Sequence, residues 1–423
     1  KMQSSPLQLN ILKISIVIFI ITVMCTSISP LQTSHYLGII FVLTFLFLNR
    51  KIYLNNNLEY KVTYFWFFYF IFISTFNFIR VVDVSLQFSY INSLLTNLIL
   101  ILLIHIFIDT RKKIIILIKY TVILGTVIAI LSLSSFVLYQ IQGIESIFLS
   151  LTWQGDRVRL QGLYNNPNFY SSSLVLSFGL TLGFKNHLSN NKLLPITILI
   201  IISLTVFLTF SRGAWVAILV IYLTYSLLIG NKVKSLIKIF IFTIVMIGIY
   251  MYLSNFSILK NQFNYALNDL FSGSGSGRID IWIDGIYIIL QENLYFLFGM
   301  GCNQFFISNN TGYHPHSGYF GLLFEYGIIG LLVSSVLIIV LLKSTLLSNK
   351  NSINFSLFFP LVGFLVLNLT NDYFTRIEFW LIISLILVAK KIKFKEGKNY
   401  EKYLDVRKRR ENKKNKRNVR EEL

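Results

Sequence analysis

An all-α protein threaded through a lipid bilayer by about twelve helices is the fold class this chain predicts. Three observations lead there. Apolar residues make up 55% of the 423 positions and charged residues only 13%, about half the charged share of a typical soluble domain. The mean hydropathy is +0.66, more apolar surface than a water-soluble core of this size could enclose. Runs near the roughly 20 residues that cross the hydrocarbon recur along the chain, and the basic residues of their short connections follow one alternating pattern.

The predicted spans are 10–29, 35–49, 62–80, 90–109, 114–139, 169–184, 193–210, 214–230, 235–253, 317–342, 353–371 and 375–390. Orientation follows from the loops. Arg50, Lys51 and Lys61 bracket one, and Arg111, Lys112 and Lys113 the next. Lys185 and Lys192 mark a third, Lys232 and Lys234 a fourth, Lys343 and Lys350 a fifth. All five fall on one side if both termini are cytoplasmic, as the positive-inside rule requires. The first helix, preceded by Lys1 and Lys13 with no small-residue cleavage site, is read as retained. One membrane domain over 1–390 is then followed by a basic cytoplasmic tail, 391–423. From Lys390 onward there are fifteen Lys/Arg and six Asp/Glu, which supply almost half of the net +20. Such a tail reads as a topology determinant leaning on anionic lipid, not as a nucleic-acid binder.

Two outer segments, about 140–168 and 254–316, are too long for simple turns, and long loops in compact proteins carry function or disorder. The second holds an apolar periodicity over Ile279–Phe298 among Asp280, Asp284 and Glu292, which predicts an amphipathic helix lying on the outer surface. The Ser-Gly repeat from Ser272 to Gly277 precedes it as a flexible hinge and lacks the Gly-Lys-Ser/Thr of a phosphate loop. Asp280 and Asp284 share a helix face, but nothing supplies further metal ligands, so no metal and no cofactor is expected. Cys25 and Cys302 both fall on the predicted outer side, which permits a disulfide that spacing alone does not establish.

The charged residues that carry chemistry sit on the side the lysines avoid. Arg157 and Arg159 stand in the first outer loop, ahead of Gln161-Gly162-Leu163-Tyr164-Asn165-Asn166-Pro167-Asn168, whose Asn-Pro-Asn launches the next helix. Ser211-Arg212-Gly213-Ala214-Trp215 lies at an outer helix mouth. Arg278 and Trp282 share a helix face at i,i+4 spacing. His314-Pro315-His316-Ser317 leads into the tenth span, with Glu325 about two turns inside it, and Arg376 opens the last. Planar, permanently charged guanidinium groups suit phosphate oxygens, and an imidazole titrating near neutrality suits proton transfer. A site for an anionic, lipid-borne substrate is the reading. Plainer readings stand beside it. Arg212 could snorkel from a helix end, Arg278 could sit on a solvated loop helix, and His316 could be a capping residue. Arg376 could only pair with Asp372 or Glu378. A carboxylate as deep as Glu325 needs a partner; an outer arginine is the one expected, and a role as a second base is the alternative.

These fragments resemble the O-antigen polymerase and O-antigen ligase superfamily of membrane glycosyltransferases. The resemblance rests on Arg159-x-x-Gly162-x-x-x-x-Pro167-Asn168, on Ser211-Arg212-Gly213-Ala214, and on Arg278-x-x-x-Trp282. It also rests on Gly299-x-Gly301 with a following Phe305 or Phe306, and on His316-Ser317 running to Glu325-Tyr326-Gly327-Ile328-Ile329-Gly330. It implies a donor glycan linked through diphosphate to undecaprenol, transferred to an acceptor hydroxyl with inversion and without a metal. Arg212 and Arg278 would hold the diphosphate and His316 would act on the acceptor. Arg157, Arg159, His314, Trp282, Glu325 and Arg376 would line the substrate site, Arg157 and Arg376 on charge alone. The expected setting is the cytoplasmic membrane with the site on its outer face, beside a flippase and a chain-length regulator. A polymerase joining repeats into O-antigen or capsule is the leading reading. A ligase moving polysaccharide onto lipid A core is the alternative, and a protein O-glycosyltransferase a weaker one. A twelve-helix transporter is disfavoured because transporter sites sit near the midplane of related halves.

Overall fold

The computed structural model describes residues 57–151, 158–229, 248, 277–309 and 312–393. The predicted spans 10–29, 35–49 and 235–253, the Ser-Gly hinge before Gly277, Arg157, Cys25 and the tail beyond 393 lie outside the described residues. Each of the other nine predicted spans contains a helix. In chain order these are α1 (Leu58–Phe76), α2 (Val84–Phe107), α3 (Arg111–Gln142), α4 (Pro167–Leu188), α5 (Leu193–Leu208) and α6 (Arg212–Leu228). The loop helices α7 (Arg278–Gln291), α8 (Asn293–Phe298) and α9 (Phe305–Ser308) follow. Then come α10 (Gly318–Leu346), α11 (Ile353–Ser356), α12 (Phe358–Leu367) and α13 (377–393).

Four of these are long and apolar enough to cross a membrane: Leu58–Ile79, Val84–Phe107, Arg111–Gln142 and Gly318–Leu346. Others are shorter apolar helices, such as Leu193–Leu208 and Arg212–Leu228. The helix starts are written locally. Asp83 accepts from the amides of Ser85 and Leu86 to open α2, and Thr110 accepts from Lys113 to open α3. Asn166 caps α4 with Pro167 at its first turn.

The core is built around α4, which packs against α3, α5, α6 and α12. Among its buried residues a row is small and polar: Ser171, Ser172, Ser173, Ser177 and Thr181 each return a hydroxyl bond to a carbonyl three or four residues back. Small residues let helix backbones approach closely in lipid. The same residues explain why this 22-residue helix is less apolar than its neighbours. On the far side α1 runs antiparallel to α10 and α13. Trp66 donates to Ser334 Oγ at 2.9 Å and rests on Trp380, ring centroids 4.7 Å apart.

The two ends of the bundle differ in charge. At one end Lys390 pairs with Glu59 (3.1 Å), Lys391 donates to His105 O (2.8 Å), Lys113 pairs with Asp109 (2.8 Å), and Lys350 donates to Leu228 O (2.9 Å). The loops bearing Arg159, Arg212, Arg278, His316 and Arg376 collect at the other end.

Two features depart from the sequence expectation. The first long loop contains a two-stranded antiparallel ribbon, β1 (Leu149–Leu151) with β2 (Val158–Leu160), registered Ser150 opposite Arg159. Three-residue strands are too short for a period-2 signal to stand out. The single surface helix expected over 279–298 is two helices, broken where Glu292 adopts an extended backbone (φ −130, ψ 125). The first of the two buries a single stripe along one face. Ile281, Gly285 and Ile289 face inward, while Ile283, Ile286, Tyr287 and Leu290 remain exposed.

The break serves packing. Helix α10 is itself interrupted at Gly327 (φ 70, ψ −175), which frees carbonyls of the preceding turn. Met300 N donates to Phe324 O (3.0 Å) and Gly301 N to Glu325 O (3.1 Å). The approach is so close that a Cβ on Gly299 would lie 2.2 Å from the Glu325 carbonyl carbon, and one on Gly327 2.3 Å from that of Leu297. Both glycines have positive φ, which L side chains avoid. The glycines of the two motif fragments are thus halves of one joint. Beside it Cys302 is a buried free thiol, bonded to Tyr326 OH (2.8 Å) and Ser74 Oγ (3.2 Å), and therefore not in a bridge.

Candidate functional site

Four segments converge at the arginine-bearing end. The first is β2 and the turn into α4. Arg159 Nε donates to Thr209 O (2.8 Å) and its Nη2 to Asn168 Oδ1 (3.1 Å), so the ribbon is tied to the turn between α5 and α6. That turn is the second segment. Phe210 there has φ 52, Trp215 Nε1 donates back to Val206 O (3.2 Å), and Arg212 begins α6, half-exposed. Gly213 faces Thr370 so tightly that a Cβ would meet Thr370 Oγ1 at 2.0 Å.

The third segment, 368–376, is the hub. Asn368 O accepts from Gly318 N (2.8 Å) and Ser317 Oγ (3.3 Å), and its Oδ1 accepts from Tyr373 N (2.9 Å). Tyr373 OH in turn donates to Asn168 O (3.1 Å). Asn371 O also accepts from Gly318 N (3.1 Å). The fourth segment is the His-Pro-His turn. Trp282 Nε1 donates to Pro315 O (2.7 Å) and its ring stacks on Phe320 at 4.5 Å. One turn before Trp282 on the same face of α7 stands Arg278, the sequence-predicted i,i+4 pair.

His316 sits at this junction in a left-handed backbone conformation (φ 49), a sparsely populated state that functional sites often hold. Its imidazole is half-buried and hydrogen-bonds the Asn371 side chain. Burial lowers its pKa below the usual 6.5, the Arg278 charge and then His314 lower it further, and the Asn371 bond opposes them. His316 is thereby biased to the neutral form that can accept a proton. Enclosure pushes the nearby Asp372 up to about 6, against the pull of the Phe374 amide and of Arg376.

Arg159, Arg212, Arg278, Trp282 and His316 are therefore brought together on adjoining segments. His314 is exposed and lies against Phe306, ring centroids 4.6 Å apart. Glu325 is 6% exposed inside α10. Its bond comes from the Asn303 backbone amide, and its charged neighbour is Asp372. The joint at Gly327 draws Gly299–Gly301 against the Glu325 backbone. Arg376 takes the plainer of its two readings in part. Its Nε lies 3.6 Å from Glu378 Oε2 and its guanidinium covers Phe169 at 4.3 Å, while Tyr164 OH donates to Glu378 Oε1 (2.8 Å). The pair braces the start of α4 against the start of α13.

Sequence reasoning missed Arg80, Asn368, Asn371 and Asp372. Arg80 follows α1 at this same end, its guanidinium over the Tyr295 ring at 4.7 Å with both terminal nitrogens buried and without hydrogen-bond partners. One signal was present: span 62–80 ends on the predicted outer side, so Arg80 also breaks the lysine pattern. The asparagines act through backbone atoms and turn geometry, which residue type does not advertise. Among the described residues no group of three or more His, Cys, Asp or Glu is placed to hold a metal ion.

No curated protein matches the chain. Residues 197–335 match the model of the O-Antigen ligase family. That span is short of half the chain, but it holds Arg212, Arg278, Trp282, His316 and the paired glycines of the α8–α10 joint. Through this segment the resemblance drawn from scattered motifs is upheld: residues 197–335 are similar to the O-Antigen ligase family, in a helical chain with four helices long and apolar enough to cross a membrane.

Proposed function

We propose that the protein is a metal-independent, inverting glycosyltransferase of the cytoplasmic membrane that polymerises undecaprenyl-diphosphate-linked oligosaccharide repeats on the outer face. The observation that carries this reading is the half-buried His316 on its left-handed turn, flanked by the Trp282 face of α7 and by the Asn371 segment, at the junction that also presents Arg212. In the proposed step His316 takes the proton of the acceptor hydroxyl as its oxygen attacks the anomeric carbon from the face opposite the donor linkage. The anomeric carbon–oxygen bond breaks, and the electron pair leaves with the lipid diphosphate. Arg212 and Arg278 stabilise the charge that develops there, as fixed guanidinium groups can where water is excluded. Base assistance of this kind is typically worth about 10²–10⁴ in rate. The polyprenyl chain would approach along the exposed apolar faces of the helices, and the lysine-rich bundle end would be cytoplasmic, consistent with the positive-inside rule. A flippase would supply the donor.

Replacing Arg212, Arg278 or His316 singly by Ala is expected to lower polysaccharide formation about 10²-fold or more, the typical cost of losing one base or oxyanion donor. Full-length product from all three variants would overturn the assignment. Supplying defined lipid-linked repeats separates the two readings within the superfamily. A growing ladder identifies a polymerase, and a single attachment to lipid A core a ligase.

A further inference from the structure

At the lysine-rich end, away from the site above, lies a cavity of about 480 Å³ between the start of α3, the connection into α11 and the end of α13. Its wall includes Asn354, which is 4% exposed. Both carboxamide atoms of Asn354, Nδ2 and Oδ1, are buried without a hydrogen-bond partner. A buried amide in that condition is costly, and native structures resolve it with a bound group. Arg111 and Lys393 line the same cavity, with Ser352 and the apolar flanks of Ile114 and Ile392. Neighbouring cations are otherwise engaged: Lys113 with Asp109, Lys390 with Glu59, and Lys391 with the His105 carbonyl. No carboxylate is among the described residues of the wall.

The chemistry is specific. Two cations and an amide N–H call for an anion with several acceptor oxygens, which a phosphate ester supplies. The carboxamide oxygen calls for a hydroxyl donor on the same molecule. Apolar residues beside the charges suit a ligand with an acyl chain, and basic pockets between transmembrane helices bind lipid head groups. We infer that this cavity binds a phosphate ester bearing a free hydroxyl, Arg111 and Lys393 taking the phosphate and Asn354 bridging phosphate and hydroxyl. A hydroxylated anionic phospholipid and a soluble glycerol phosphate share this chemistry.

The test uses the full chain purified in neutral detergent, with acyl-labelled phosphatidylglycerol as the probe. Phosphatidylcholine with the same chains serves as comparison, and glycerol 3-phosphate as competitor. Phosphatidylglycerol is expected to bind at least about tenfold more tightly than phosphatidylcholine. The Arg111→Gln, Lys393→Gln double variant should lose at least about tenfold of that binding, since each cation near a lipid surface contributes on that order. Both residues are exposed, so the variant keeps the fold. Asn354→Leu should weaken phosphatidylglycerol and leave phosphatidylcholine unchanged. Displacement of the probe by millimolar glycerol 3-phosphate supports the site with a soluble ester as its ligand, and no displacement supports it with the lipid. Equal binding of the two lipids, or undiminished binding by the double variant, overturns the inference.

Discussion

His316 is the residue on which the proposed chemistry turns, and its environment fixes the sign of its pH response. Burial, Arg278 and His314 all disfavour the imidazolium. Activity should fall with acidification through a midpoint below the ordinary histidine value of about 6.5. Removing a neighbouring positive charge favours protonation, so Arg278→Gln should move that midpoint upward, measured on whatever residual turnover it retains. A midpoint that stays put or falls would exclude the pairing. Arg159 makes a different kind of contribution. Its fork joins Thr209 O to Asn168 Oδ1, and a lysine ammonium cannot reproduce that geometry. Arg159→Lys should therefore cost about tenfold or more in turnover, close to Arg159→Ala, with membrane levels of the protein unchanged. Arg159, Arg212, Arg278 and His316 were legible in the sequence because charge is conspicuous against an apolar background. Asn368 and Asn371 were not, since their bonds run through main-chain atoms of Gly318 and Tyr373 and through one imidazole.

At the scale of elements, the nine predicted spans within the described residues each hold a helix, because a helix in an apolar setting must satisfy its own backbone, which forces length and composition together. The ribbon of β1 and β2 escaped because its strands are three residues each. The joint between α8 and α10 was visible only as separate glycine fragments. Each glycine could be seen, but that Gly299 rests on Glu325 and Gly327 on Leu297 is a property of two elements at once. Gly327→Ala and Gly299→Ala should each destabilise the protein by at least about 2 kcal/mol, combining left-handed strain with a backbone clash. Thermal unfolding in detergent followed by size-exclusion would report this as a lower midpoint. Gly143, also at positive φ but with open space around its Cβ, is the control and should cost less.

For the molecule as a whole, the polarity of the bundle is the organising fact: the described ion-paired lysines lie at one end with Arg111, and the Arg159–Arg212–Arg278–His316 junction lies at the other. That arrangement predicts an accessibility pattern. In a Cys25→Ser background, a membrane-impermeant maleimide should label Glu145→Cys on intact cells and Asn190→Cys only after permeabilisation. Both positions are exposed. The reverse pattern would invert the proposed orientation. The interrupted α10 carries a consequence for biogenesis. Carbonyls at Phe324 and Glu325 that no turn of their own helix can satisfy would enter hydrocarbon at several kcal/mol each. Their donors, Met300 and Gly301, emerge from the ribosome earlier and belong to a segment outside any span. The helix and the stretch before it must consequently mature together, so a nascent chain stalled before this docking should be a substrate for membrane quality control.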